Sequence, residues 1–376
     1  PFNADALRSG SWANALGIAL SYDPKVIQAV ATAITVHAKE APECESTPRL
    51  SPETGRIDVP AEKPDQYFET HPQVERTEGL EGWRAIVAET AAAPKLAHMM
   101  GASAIAPFVH ALGVKSHTFS VTGAAQRGKT QGLRVAAGIW GNSIEEGNAG
   151  SLFGPWNLSH MALPQLLGEL GMLPIYRDEG GLAKMSKQQW AQIIYSVSEG
   201  VSRARTDLRA GRASIGAPWH GILFTTSNAR LTEGIDSGEN QGIPRRVVEL
   251  DAPITADAEQ ALRLINSDPT KPRGLLNGCY GHLGLLITET IDTAKASHYL
   301  RAAHELRPLP EGDVADVARM LLAHLAGSLM IDDLLGAGDQ LAQSNLSGMD
   351  EYLAEWAAPE TEAERLKSWN PNAGLS

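Results

Sequence analysis

Residues 123–130 read Gly-Ala-Ala-Gln-Arg-Gly-Lys-Thr, with glycine at the first and sixth positions and Lys-Thr at the end. This spacing suits polyphosphate chemistry. Glycines let successive backbone N–H groups turn inward and form a nest for anions. A helix starting near Lys129 adds the positive end of its dipole. Lys129 is placed to reach the β- and γ-phosphates of a nucleoside triphosphate, and the Thr130 hydroxyl to ligate Mg2+. The cofactor-binding candidates are therefore Gly123, Ala124, Ala125, Gln126, Arg127, Gly128, Lys129, Thr130 and Gln131, and the expected ligands are ATP and Mg2+. A match to this pattern arises by chance in a chain of this length about two times in a hundred. Here a β-branched run precedes it and a helical pattern follows, as the mechanism requires.

Triphosphate hydrolysis also needs a carboxylate across the metal. LPIYRDE supplies Asp178 for the metal shell and Glu179 to orient and polarise the attacking water. A surface-turn acid pair is the plainer reading, and Arg177 interrupts the apolar strand end without explanation. GILFTTSN ends in Thr225, Thr226, Ser227 and Asn228. Asn228 could hydrogen-bond the γ-phosphate or its water, or simply end a strand. Arg245 and Arg246 could stabilise transition-state charge in a neighbouring subunit, which requires a head-to-tail ring or filament. Alternatively they could pair with Glu249 or Asp251. SRARTDLRAGR is the densest basic run, with Arg203, Arg205, Arg209 and Arg212. Those guanidinium groups could track the backbone of single-stranded DNA, meet the nucleotide, or lie on a solvated helix face with Asp207.

These groups need a scaffold. Strand patterns occur at HTFSVTG, LFGPWN, MLPIYRDE, GILFTTSN and RVVEL, with helical patterns between most of them. Strands alternating with helices predict an α/β fold of the P-loop NTPase type (AAA+ or RecA-like), its mostly parallel sheet flanked by helices. Residues 1–80 read as an N-terminal helix, over 11–40, followed by a Pro-rich arm with a short hairpin near Thr54-Gly55. Residues 81–256 form the ATPase core, beginning with an Ala-rich helical stretch over 81–113. Residues 257–340 form a helical lid with helices at 257–266, 281–306 and 311–336, and 341–376 a C-terminal tail.

Composition sets further bounds. The 376 residues carry 32 basic and 44 acidic side chains, a formal charge of −12. That disfavours a nucleic-acid coat or a membrane-surface protein, while leaving room for a basic channel in an acidic body. Cys44 and Cys279 are far apart, which fits a reducing cytoplasm. No apolar run approaches a membrane span, and no signal peptide is visible. The Asn-x-Ser triplets at Asn157 and Asn345 are chance matches on this reading. None of the eleven histidines has metal-ligand spacing. Asp332-Asp333 reads as a helix-end acid pair. The chain opens on Pro1, so it is expected to be part of a longer protein.

The ordered set GAAQRGKT, RVAAGIWG, LPIYRDE, the Arg-rich run, GILFTTSN, GIPRRVVELDAP and NGCYGHLGLLI resembles the P-loop family called domain of unknown function 927. The resemblance spans roughly residues 50–335, and its more specific signals are Trp140-Gly141 and the YGHLG segment. The phosphate loop itself is generic. The resemblance implies the helicase-like half of a phage, plasmid or integrated-element primase–helicase, often behind a primase or zinc-binding module. It implies Lys129 and Thr130 as nucleotide ligands, Asp178 and Glu179 as catalytic acids, and Arg246 ahead of Arg245 as the finger. The sequence departs from the family pattern in a second Arg before the usual one and in an Arg-rich run without a glycine-lysine lead-in. The expected function is an ATP-driven motor for DNA replication, acting as a ring, a hexamer on this reading. The alternative is an ATP-dependent oligomeric switch that regulates a fused or partner domain without translocation.

Overall fold

The computed structural model describes residues 47–59, 67–144, 152–156, 162–179, 185–200, 205–207, 212–214, 218–233, 242–266, 270, 272–308 and 315–357, with backbone only for 205–207, 212–214 and 355–357. The chain divides into Pro1–Ser46 and Thr47–Ser376. All described residues belong to the second unit, so the helix expected over 11–40 and Cys44 lie outside them, as does Asn157.

The hairpin near Gly55 pairs β1 (Arg49–Leu50) with β2 (Ile57–Asp58), antiparallel. The Ala-rich stretch forms two helices, α1 (Arg76–Thr90) and α2 (Pro94–Ile105). The break falls at Ala91–Ala93 because Pro94 starts a helix but cannot continue one. Then follow β3 (His117–Thr122), α3 (Lys129–Gly138), β4 (Phe153–Pro155), α4 (Leu163–Leu170), β5 (Ile175–Asp178), α5 (Lys187–Glu199), β6 (Arg205–Asp207), β7 (Arg212–Ser214), β8 (Ile222–Thr226) and β9 (Val247–Asp251). The C-terminal helices are α6 (Ala258–Leu264), α7 (Leu276–Cys279), α8 (His282–Thr290), α9 (Thr293–Leu306), α10 (Ala315–Leu335) and α11 (Gln340–Ala357).

The central sheet has the order β4-β5-β8-β3-β9, and every pair in it is parallel. All five expected strands are present. Their carboxyl ends therefore share one edge, where ligands of open α/β sheets bind. Aromatic rings line one face: Phe119 stacks on Phe224 at 5.2 Å, and Phe224 on Tyr176 at 4.9 Å. These residues are directly paired in register. On the other face Trp190 of α5 meets Trp156 edge-on, and Trp156 Nε1 donates to Thr225 Oγ1 at 2.6 Å. Arg177 pairs with Thr225 in register and is fully buried. Burial lowers its pKa to about 10, and its Nη1 donates to Tyr176 O.

One hydrophobic cluster runs from Ile57 to Leu353, across the boundaries expected at 80, 256 and 340. The helices expected as a lid are thus packed into the core. α10 lies against α2 so closely that a Cβ on Gly327 would stand 2.0 Å from Gly101 O, which only glycine avoids. The tail expected from residue 341 begins instead as helix α11, burying Leu341, Met349, Tyr352 and Leu353. Its acidic composition concealed that apolar spacing. Asp332 accepts hydrogen bonds from Leu341 N and Ala342 N, capping α11, as a helix-end acid should.

Three histidines cross this core as a hydrogen-bonded row. His117 Nε2 lies 2.8 Å from His324 Nε2, His324 Nδ1 lies 2.8 Å from His98 Nε2, and His98 Nδ1 lies 2.7 Å from Asn345 Oδ1. Burial pulls His98 and His117 down to about 4 and His324 well below its ordinary value. Between pH 4 and 6.5 the unfolded chain therefore binds more protons than the folded one at these sites. Stability should fall as pH drops through that window, by about 1.4 kcal/mol per pH unit for each ring, and this contribution should level off above 6.5. Denaturant titrations across pH 4.5–7 should give a shallower slope for His98→Gln than for wild type. Equal slopes would contradict the assignment.

Candidate nucleotide-binding site

The loop leaves β3 at Thr122 and enters α3 at Lys129. Gly123 (φ +124°) and Gly128 (φ +74°) take backbone conformations that side chains resist, and Gln126 (φ +61°) is also left-handed. At Gly128 a Cβ would stand 2.5 Å from Thr255 Oγ1. The segment after β9 backs the loop: Ala252 N donates to Thr122 O, and Ile254 N to Arg127 O. Ala124, Ala125, Gln126 and Arg127 are exposed, while Thr130 and Gln131 in the first turn of α3 are half-buried. No acidic residue occurs between Gly123 and Gln131. The fold thus presents backbone amides, a helix N-terminus and an ammonium group, a donor set that fits a polyphosphate.

Lys129 Nζ donates to Gly123 O, to Ala124 O at 2.8 Å and to Asn228 Oδ1 at 3.1 Å. Burial lowers its pKa, and the nearby Asp178 carboxylate works against the drop. Asp178 is buried at the end of β5. Its Oδ1 accepts from the Thr226 hydroxyl and from Glu179 N at 3.0 Å. Glu179 is exposed and holds a left-handed backbone (φ +58°), the kind of strain that clusters at functional positions. Topology explains the grouping. β8 lies between β3 and β5, so Asn228, just past β8, falls between the loop and the acids. Lys129, Asn228, Asp178 and Glu179, far apart in sequence, meet at one edge.

Arg245 and Arg246 are placed elsewhere. They precede β9, at the opposite edge of the sheet from the phosphate loop; the five residues of β9 span about 17 Å. Arg245 is exposed. Arg246 lies 4.7 Å over the Tyr195 ring and donates Nη1 to Gly242 O. The carboxylates considered as its partners are engaged differently. Glu249 accepts from Leu231 N and the Thr232 hydroxyl, and Asp251 from Arg230 and the Thr122 hydroxyl. The Arg-rich run is not a helix where described: β6 and β7 form an antiparallel hairpin, with Arg205 opposite Ser214 and Asp207 opposite Arg212. Arg203 and Arg209 lie outside the described residues.

Sequence reasoning gave Glu249, Asp251, Arg230 and Thr226 no role at this edge. The available signal for Glu249 was an acid inside the apolar run VVELD. Trp140-Gly141 and YGHLG prove to be two sides of one junction. Gly281 N donates to Gly138 O and Gly284 N to Ile139 O, while Phe68 N donates to Trp140 O. A Cβ on Gly281 would stand 2.1 Å from Glu69 O, and one on Gly284 2.5 Å from Ile139 O. These motifs clamp the far end of α3 and do not touch the phosphate loop.

A parallel five-stranded sheet, flanked by helices and carrying this loop at its carboxyl edge, defines a P-loop NTPase fold. Residues 62–213 match the model of the family described as Domain of unknown function (DUF927). Asn228, Arg245, Arg246 and the YGHLG segment lie beyond the matched stretch. No curated protein matches the chain. Among solved structures it is similar to "SCCmec type IV Cch - active helicase", with 18% identity and a TM-score of 0.64, over 94% of this chain and 68% of that one. That likeness is one of fold. No described helix is long and apolar enough to cross a membrane, and no described His, Cys, Asp and Glu side chains group as a metal site.

Proposed function

We propose that the chain is an ATP-hydrolysing, helicase-like motor domain that acts on DNA in the replication of a phage or mobile element, within the cytoplasm. The observation that carries this reading is the meeting of Lys129, Asn228, Asp178 and Glu179 at the ends of three adjacent parallel strands. In the mechanism, the loop amides and Lys129 hold the phosphates. Thr130 and Asp178 would hold Mg2+, which would supply neutralisation of the phosphate charge. Glu179, exposed beside Asp178, orients the attacking water, and Asn228 senses the γ-phosphate through its contact with Lys129. The similarity to a structure described as an active helicase supports a motor over other uses of the fold.

The finger and the DNA contacts extend this reading. Arg245 and Arg246 stand too far from their own loop to reach the same nucleotide, so a finger at either position acts on a neighbour in a ring, a hexamer on this proposal. The Arg-bearing hairpin follows the acids in sequence and would track single-stranded DNA; a fused primase or similar module would supply the remaining replication activity. One experiment tests the reading: ATPase rate with and without single-stranded DNA at low salt. Wild type should be stimulated, and Arg205→Ala with Arg212→Ala should lose the stimulation and lower the salt dependence of binding by about one unit of slope per lost phosphate contact. Mixing inactive Lys129→Ala and Arg246→Ala chains should restore part of the turnover. An ATPase rate unchanged by DNA, together with no DNA binding at low salt, would overturn the motor and favour the ATP-dependent oligomeric switch.

A further inference from the structure

The loop that follows β8 carries Asn228 and then crosses to the edge strand β9, where two carboxylates take hold of it. Glu249 is 7% exposed, and it spends both oxygens on this loop: Oε1 accepts from Leu231 N at 2.6 Å and Oε2 from the Thr232 hydroxyl at 2.6 Å. Its own backbone N–H donates to Tyr352 Oη of α11 at 3.4 Å. Asp251 accepts from Arg230 and, at 2.9 Å, from the hydroxyl of Thr122, the residue just before the phosphate loop. Ser227 N donates to Val121 O, so the loop is also stitched to β3. Asn228 itself is exposed, and its Oδ1 accepts from Lys129 Nζ.

We infer that Glu249 is a positioning residue for hydrolysis: it fixes the 229–232 turn to β9 and thereby sets Asn228 against Lys129. The inference rests on reading the site as an ATPase. Two features favour positioning over plain stability. Burial raises the pKa of the Glu249 carboxyl, with the Thr232 and Leu231 hydrogen bonds opposing the rise. A carboxylate kept in a covered place at such a cost is weak support for stability by itself, since an apolar residue of similar volume commonly does as well. The second tie, Arg230 with Asp251, is half-exposed and contributes little holding strength. Ser227 N fixes the start of the loop to β3, and side-chain anchoring of the turn beyond Asn228 falls mainly to Glu249, whose two oxygens meet two donors on consecutive residues, a geometry that defines the turn in two directions. Because Arg245 and Arg246 directly precede the same strand, the tether also links the proposed finger position to the hydrolysis site of its own chain.

The test is a double-mutant cycle in steady-state ATPase kinetics with Glu249→Ala, Asn228→Ala and both together. Glu249→Ala should lower kcat about tenfold while KM changes by less than about threefold, because phosphate grip is retained and only placement of Asn228 is lost. Glu249→Gln, which keeps the shape and can still meet Leu231 N and Thr232, should recover most of the rate. In the Asn228→Ala background, Glu249→Ala should add less than about twofold. Equal effects of Glu249→Ala in both backgrounds, or an unchanged kcat, would overturn the inference. If the alanine variant does not fold, Thr232→Val removes one of the two ties and enters the same cycle with the same criteria. Wild-type turnover separates the two levels: its absence would overturn the ATPase reading and this inference with it, whereas turnover with additive mutants would overturn this inference alone.

Discussion

Replacing Lys129 with Ala should abolish most nucleotide binding while leaving the fold in place. The ammonium group is held among Gly123 O, Ala124 O and Asn228 Oδ1. A triphosphate would take the place of the two carbonyls with anionic oxygens, and charged hydrogen bonds of that kind contribute about 1.5–3 kcal/mol each. Losing them should weaken binding by on the order of a hundredfold or more. The glycine conformations of the loop come from the backbone and from packing against Ala252 and Thr255, so the cradle should persist without the side chain. Equilibrium binding of a fluorescent ATP analogue, with thermal melting as the control for folding, measures the effect. Wild-type affinity in the alanine variant would remove Lys129 from the site.

Glu179→Gln should produce the second large effect, on turnover. The carboxylate stands exposed beside the buried Asp178, on a backbone held in a left-handed conformation. Glu179 N donates to both Asp178 Oδ1 and Thr226 Oγ1, so the strained turn is pinned at its amide and the side chain is free to meet a water. Glutamine keeps the shape and loses the base. A positioned base is worth about 10²–10⁴-fold in rate, so kcat should fall by at least about a hundredfold, with nucleotide affinity changed only a few-fold. Single-turnover assays should show ATP persisting on the protein. Retained turnover would assign the water-orienting group elsewhere.

Much of this edge was legible because its signals are local. The five strands are short apolar runs ending in polar tips, and the loop, Asp178-Glu179 and Asn228 each sit at such a tip. Their convergence was not legible: it depends on β8 pairing between β3 and β5, a non-local choice that no periodicity encodes. The family-specific motifs were visible as patterns, but their work in clamping the end of α3 needed Gly281 and Gly284 in place against Glu69 and Ile139. Arg246 has the sequence position of a finger, yet its contact with Tyr195 comes from α5, about fifty residues upstream. Glu249 looked like a partner for those arginines because charge is short-range in sequence. The structure gives it to Leu231 and Thr232 instead, because the loop after β8 must cross β3 to reach the edge. The helical C-terminal stretch was missed because Asp350, Glu351 and Glu355 outweigh its buried Met349 and Leu353 in composition.

The central claim is that the loop from Gly123 to Thr130 grips a polyphosphate opposite Asp178 and Glu179. Calorimetric titration of the wild-type chain with Mg-ATP tests it most directly. A saturable heat at one site per chain, weakened when the metal is chelated, is the expected result. No heat at any accessible concentration of Mg-ATP would contradict it.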